Sequence, residues 1–230
     1  MKYTIMHVNN RAEDNIKANK DILKNFEYVD TIEFIDGNTT DAKNILHVKG
    51  VKTSTWSPYD GRTSMPLPGE YGVLVSFLNL LEYVINDDTD SILLVEDDVV
   101  LSDNFVDFFL LCLNDLPKNY DFLSLAYPKE QNHISESTEM GSSYIHKADN
   151  QYAGNMVTLF SKSGAEKILK IVKRVGMEYN SDCLIYRYSR TGALNGFSIK
   201  PIDKKIVSHP NIIESVIDPK NLRNTDNSIV

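Results

Sequence analysis

Only two cysteines occur in the 230 residues, Cys112 and Cys183. Neither has a second cysteine or a histidine at zinc-ligand spacing, so a structural zinc site and a disulfide-stapled fold are not expected. Both sit in apolar runs, "FLLCLND" and "SDCLIY", and read as buried free thiols in a reducing compartment. Basic residues are in the minority: 24 Lys and Arg face 32 Asp and Glu, a formal net charge of -8. Such a chain repels a phosphate backbone, which excludes a general nucleic-acid binder. An anionic small ligand would need a local positive charge, and a divalent metal is the simplest source. Long apolar runs are also missing. Asp97, Asp98, Asp107 or Asp115 interrupts the strongest candidates before they reach the roughly 18 residues of a transmembrane segment. The opening "MKYTIMHVNN" is too short and too polar for a secretory leader, so the expected location is cytoplasmic. No internal repeat and no low-complexity linker interrupts the chain.

What is present suits one α/β domain. Hydrophobic residues make up 42% and charged residues 24%, enough to bury a core. Apolar strand-like segments at 2–8, 31–36, 91–100, 120–126, 155–161 and 197–200 alternate with helical patterns at 11–25, 69–85, 102–113, 163–175 and 180–190. That alternation predicts a mostly parallel central sheet flanked by helices. Ser102 or Asp103, Ser163, and Ser181 or Asp182 are the expected helix caps. Residues 50–68 form an irregular, functional-length loop, and 128–150 a polar excursion or lid. The expected domain runs over 1–218, with 219–230 as a tail.

One segment carries chemistry. The apolar run Ile92–Val95 ends in Glu96, Asp97 and Asp98. Three like charges in one turn of chain repel, and desolvating any of them is costly. A bound cation relieves that cost, and hard oxygen ligands suit Mn²⁺ or Mg²⁺. Ligands of open α/β sheets bind at this same carboxyl edge. Side chains alternate along a strand, so Glu96 and Asp98 are expected on one face and Asp97 on the other. Asp98 is then the metal ligand, Glu96 reaches the ribose of the same ligand, and Asp97 orients its neighbours. The plainer alternative is that the acids cap the next helix or sit solvated. A nucleotide-sugar donor explains the metal, because the departing nucleoside diphosphate gains negative charge as the glycosidic bond breaks.

Four segments, "LPGEYGVLVSF", "SILLVEDDVVLSDNF", "GNMVTLFSKSGAEKIL" and "SDCLIY", resemble in order and spacing those of glycosyltransferase family 25. The opening "HVNNRAED" is similar to its first motif, and the resemblance spans most of residues 3–190. It implies a GT-A fold and an inverting, Mn²⁺-dependent transfer of galactose or glucose from a UDP-sugar to a glycan or glycoconjugate acceptor, as in lipopolysaccharide biosynthesis. It also implies that Asn9 and Arg11 lie beside the nucleotide and that Asp36 and Gly37 form the turn near the base. Glu70 and Ser76 match its helix start, Glu96, Asp97 and Asp98 its acidic motif, and Asp182 an acid after the "GAEKIL" helix. Each has a plainer reading: a solvated Arg11, a tight turn at Asp36-Gly37, a helix-dipole charge at Glu70, a packing role for Ser76.

Inversion requires a base for the acceptor hydroxyl, and Asp182 is the candidate; its plainer role is a helix cap. Glu139 and Asp149 are weaker candidates. His209 is proposed to complete the metal shell, as a late histidine does in several GT-A enzymes. Lys204 and Lys205 can offset diphosphate charge, and Trp56, Tyr59, Tyr127 and Tyr152 are aromatic candidates for the acceptor site. The sequence departs from the family pattern at Phe77, where members often carry His, and in "KKIVSHPNIIES", where they often carry Pro-Pro and Gln. Two rival enzymes fit less well. A sugar nucleotidyltransferase carries a glycine-rich loop where this chain has "VNNRAEDN", and a phosphoacceptor receiver domain places its acids after the first strand. The rival of another class is a non-catalytic glycan- or nucleotide-binding homologue. Oligomeric state is left open by the sequence.

Overall fold

The apolar run that ends in acid is a central strand of a mixed sheet. The computed structural model describes residues 1–7, 13–53, 66–125, 144–148, 156–178, 180–199 and 207–208. Its strands in chain order are β1 (Lys2–Met6), β2 (Glu27–Tyr28), β3 (Ser91–Glu96), β4 (Val100–Leu101), β5 (Phe122–Ser124), β6 (Ile145–Lys147), β7 (Val157–Ser161), β8 (Gly196–Ile199) and β9 (Val207–Ser208). Its helices are α1 (Glu13–Ile22), α2 (Ala42–Val48), α3 (Pro68–Asn86), α4 (Phe105–Asp115), α5 (Lys162–Val175) and α6 (Ser181–Arg190). Seven strands form one sheet in the order β2-β1-β3-β7-β5-β8-β6, and β4 and β9 form a separate ribbon. The pairings make β1, β2, β3, β5 and β8 run one way and β6 and β7 the other. The α/β architecture expected from the sequence is therefore observed: a central sheet, mostly of one strand direction, with helices on both faces.

Alternation along β3 divides the core in two. Ile92 and Leu94 face the layer of α2, α3, α5 and α6, where Leu74, Leu78, Leu81, Phe160, Ile168 and Leu184 pack. Leu93 and Val95 face the layer of α1 and α4, where Tyr3, Ile5, Leu23, Phe105, Phe109 and Cys112 pack. Burying both faces explains why β3 is apolar at four consecutive positions. The long helix α3 is apolar on most sides because it lies between the sheet, α2 and α5.

Several expectations need correction. The segment 31–36 is not a strand; the second strand is the short β2, and the chain beyond it carries no ladder. Its backbone groups are met by side chains instead: Thr4 Oγ1 donates to the Val29 carbonyl, Ser76 Oγ accepts from the Ile35 N–H, and Asn79 Nδ2 donates to the Glu33 carbonyl. The strand expected at 91–100 stops at Glu96, turns, and resumes as β4. A short strand, β9, begins at Val207, and β6 lies inside the expected polar excursion. Cap assignments shift as well. Ser161, not Ser163, caps α5 by accepting from the Gly164 N–H at 3.0 Å. Asn104 and Asn180 occupy the cap positions of α4 and α6.

Cys112 and Cys183 are free thiols, the first buried and the second half-buried. Among the described residues no helix is long and apolar enough to cross a membrane. Residues 219–230 lie outside the described residues.

Candidate active site

Three elements bring carboxylates to one pole of the molecule: the end of β3, the first turn of α3 and the first turn of α6. Glu96 closes β3, and the charges of Asp98, Asp182 and Asp97 all act on it. Burial first, and then those three charges in that order, hold its carboxyl well above the usual carboxylate range. Asp182 stands in the first turn of α6, where its Oδ1 accepts from the Cys183 N–H at 2.7 Å. The same Asp182 acts on Glu70 of α3. Glu70, Glu96, Asp98 and Asp182, separated by up to 112 positions in sequence, thus belong to one electrostatic cluster.

Glu70 is 4% exposed. One carboxylate oxygen accepts from the Leu67 N–H at 2.7 Å, and the other faces the Asn180 Nδ2 at 3.5 Å. Burial raises its pKa; the Leu67 and Asn180 bonds partly offset this, and Asp182 adds to the rise. Leu67 has no side-chain acceptor for the helix N-terminus, so Glu70 acts as the reaching-back half of a capping box. Its contact with Asn180 links the starts of α3 and α6.

Asp36 and Gly37 abut the same end of α3. Asp36 is buried, its Oδ1 accepts from the Asn38 N–H at 2.9 Å, and its carbonyl receives the N–H groups of Thr39 and Thr40. A Cβ on Gly37 would lie 1.8 Å from the Pro68 carbonyl oxygen, and one on Gly72 would lie 2.4 Å from the Gly37 nitrogen. The two glycines are backbone-to-backbone contacts between the turn and α3. Ser76 finishes this joint, accepting from Ile35 N–H at 2.7 Å and donating to the Gly72 carbonyl at 2.8 Å. The spacing Gly69-Glu70-x-Gly72-x-x-x-Ser76 therefore has a packing cause: it docks the 35–37 turn onto α3.

Asp97 follows Glu96 in the turn after β3 and is 5% exposed. Its N–H donates to the Met6 carbonyl at 3.1 Å, and its carbonyl accepts from Asn15 Nδ2 at 3.2 Å. One turn further along α1, Asn19 bonds the backbone of Val99 and Leu101. Asn15, Asn19 and Asn180 are site-supporting residues that the sequence reading missed. The signal was present in α1: Asn19 is spaced three and four residues from the apolar Ile16, Ile22 and Leu23, on the inward face.

Burial, reinforced by Asp182, pushes the Cys183 thiol up, and burial pushes the Tyr186 hydroxyl up to about 12. Among the described residues no group of three or more His, Cys, Asp or Glu side chains is arranged to hold a metal ion. β9 ends at Ser208 opposite Val100, two residues beyond Asp98. His209 lies outside the described residues, as do Asn9, Arg11, Trp56, Tyr59, Tyr127, Glu139, Asp149, Tyr152, Lys204 and Lys205.

The profile of glycosyltransferase family 25 (LPS biosynthesis protein) matches residues 13–185, from α1 through the first turns of α6. The chain belongs to glycosyltransferase family 25. It is accordingly a glycosyltransferase, and the family match spans all three elements that carry the acidic pole. Among curated proteins none matches this family 25 chain. Two solved glycosyltransferases resemble it at low identity. One is involved in the glycosylation of the major capsid of PBCV-1, with 10% identity and a TM-score of 0.37, covering 76% of this chain and 65% of that one. The other is a Drosophila β-1,4-galactosyltransferase 7 mutant in complex with manganese, UDP-Gal and xylobiose, with 12% identity and a TM-score of 0.45, covering 98% of this chain and 74% of that one.

Proposed function

We propose that this family 25 glycosyltransferase transfers a hexose, galactose or glucose, from a UDP-sugar to a glycan or glycoconjugate acceptor in the cytoplasm, with inversion at the anomeric carbon. The observation that carries the reading is the convergence of Glu96 at the end of β3 and Asp98 in the turn after it with Asp182 from α6. Asp182 approaches the acidic turn from a separate element, which is the relation that a base needs to a bound donor. In this reading Asp182 takes the proton of the acceptor hydroxyl. The hydroxyl oxygen bonds to the anomeric carbon as the bond from that carbon to the diphosphate oxygen breaks, and UDP departs.

The donor set fits a hard cation. Glu96, Asp98 and Asp182 offer oxygen ligands only, and burial together with the neighbouring acids raises the pKa of Glu96, a load that a bound cation would relieve. Asp98 would hold Mn²⁺ or Mg²⁺, with His209 as the proposed second ligand and the donor's diphosphate completing the shell. When bound, such an ion supplies positive charge to the leaving group. Glu96 and Asp97 flank it, Glu70 and Ser76 hold the start of α3, and Asp36, Gly37, Asn9 and Arg11 are assigned to the nucleotide.

The test is a donor screen read by released nucleoside diphosphate in Mn²⁺. UDP-galactose or UDP-glucose should be turned over, and chelation should stop the reaction. Turnover that survives chelation, or no turnover of any nucleotide sugar, contradicts the proposal; the second result favours a non-catalytic binding homologue.

A further inference from the structure

The only α1 residue fully removed from solvent is polar. Asn19 is 0% exposed, and both ends of its carboxamide are used on backbone. Nδ2 donates to the Val99 carbonyl at 2.9 Å, and Oδ1 accepts from the Leu101 N–H at 3.0 Å. One helical turn earlier, Asn15 Nδ2 donates to the Asp97 carbonyl at 3.2 Å. Asp98 therefore lies between two backbone positions, Asp97 and Val99, that α1 grips through side-chain amides. Residue Leu101, two further on, is held by the same helix and pairs with β9.

An amide suits this task because it offers a donor and an acceptor in one plane, the same pair that a neighbouring strand would offer. Asn19 stands beside the apolar Ile16, Ile22 and Leu23, yet both ends of its amide bond backbone, so hydrophobic burial does not explain the asparagine. It is explained by a strand end that must turn sharply and still have its peptide groups satisfied.

We propose that Asn15 and Asn19 are positioning residues for glycosyl transfer, fixing the backbone on both sides of Asp98 so that the acidic turn is set before donor and cation arrive. This rests on the reading of that turn as the donor and cation site. It adds that the turn is preorganised from α1, on the sheet face opposite α3 and α6, rather than ordered by its ligands.

The experiment titrates Mn²⁺ into the full chain in the presence of UDP, reading free Mn²⁺ by electron paramagnetic resonance, alongside donor kcat/KM and the melting temperature. Asn15→Ala should weaken Mn²⁺ binding about tenfold, within the range typical of residues that orient metal ligands. Its fold should stay intact, because Asn15 is only half-buried. Asn19→Ala should weaken binding further and lower the melting temperature. Val172→Ala in α5, also at a fully buried position, is the control: it should lower the melting temperature and leave Mn²⁺ affinity at the wild-type value. If Asn19→Ala does not fold, Asn15→Ala decides. Folded Asn15 and Asn19 variants with wild-type Mn²⁺ affinity, beside an Asp98→Asn variant that has lost it, overturn the inference alone. Wild-type affinity in Asp98→Asn overturns the reading of the turn and the inference with it.

Discussion

Glu96 and Glu70 hold their protons more tightly than ordinary carboxyls, and both do so beside Asp182. For a carboxyl whose pKa is raised on folding, the native state binds more protons than the unfolded chain between the ordinary value and the raised one. Stability from these groups is thus fully present below the ordinary value of 4.5 and is lost as pH rises above it. Glu96→Gln should remove that loss. Its melting temperature should exceed the wild type's by a margin that grows between pH 5 and pH 8, while transfer falls, the usual exchange of stability against activity at a charged site. An equal margin at both pH values would show that Glu96 carries no such strain. Asp182→Asn should lower turnover by about 10²–10⁴ with little change in donor KM, if it is the base. Unchanged turnover moves that role elsewhere. The residues of this pole were legible in sequence because acids after a fully apolar strand are anomalous. Asn15 and Asn180 were not, because a single Asn in a helical or capping pattern is unremarkable until its partner is known, whereas Asn19 could have been read from its place on the apolar face of α1.

At the scale of elements, the glycines of α3 mark a joint. Gly72→Ala places a Cβ 2.4 Å from the Gly37 nitrogen and 2.6 Å from the Ile35 carbonyl oxygen, against backbone that has little room to move. It should cost about 1–3 kcal/mol, measured by urea unfolding. Ser76→Ala strands the buried Ile35 N–H and should cost about 1–3 kcal/mol. A second joint behaves oppositely with pH. Asp87, just past the end of α3, accepts from Lys2 of β1 and from Tyr83, and these bonds lower its pKa to about 2. A depressed carboxyl contributes stability that is present above its ordinary value of 3.8 and is lost as pH falls toward 2. Asp87→Asn should therefore narrow the difference in melting temperature between pH 6 and pH 2.5. The long buried elements, α3, β3, β7 and α5, were readable because their apolar patterns are continuous. The 31–36 segment was misread because "TIEFID" alternates like a strand, yet its peptide groups are taken by Ser76 and Asn79, residues more than 40 positions away. The short β2, β4, β6 and β9 have too few residues to show a period at all.

For the molecule as a whole, the sheet separates two tasks. The α1 and α4 face holds the backbone of the acidic turn, and the α3 and α6 face presents the opposing acids. That division was partly legible: alternation along β3 sends Ile92 and Leu94 to one face and Leu93 and Val95 to the other, while the identity of the helix on each face depended on a chain path that no local pattern encodes. The account's central claim is that the acids at this pole serve a cation shared with the donor's diphosphate. The most direct measurement is an anomalous-scattering map from crystals grown with Mn²⁺ and UDP. The account predicts a manganese peak within coordination distance of an Asp98 carboxylate oxygen and of the UDP phosphates. UDP bound elsewhere, or bound with this pole empty of manganese, would contradict it.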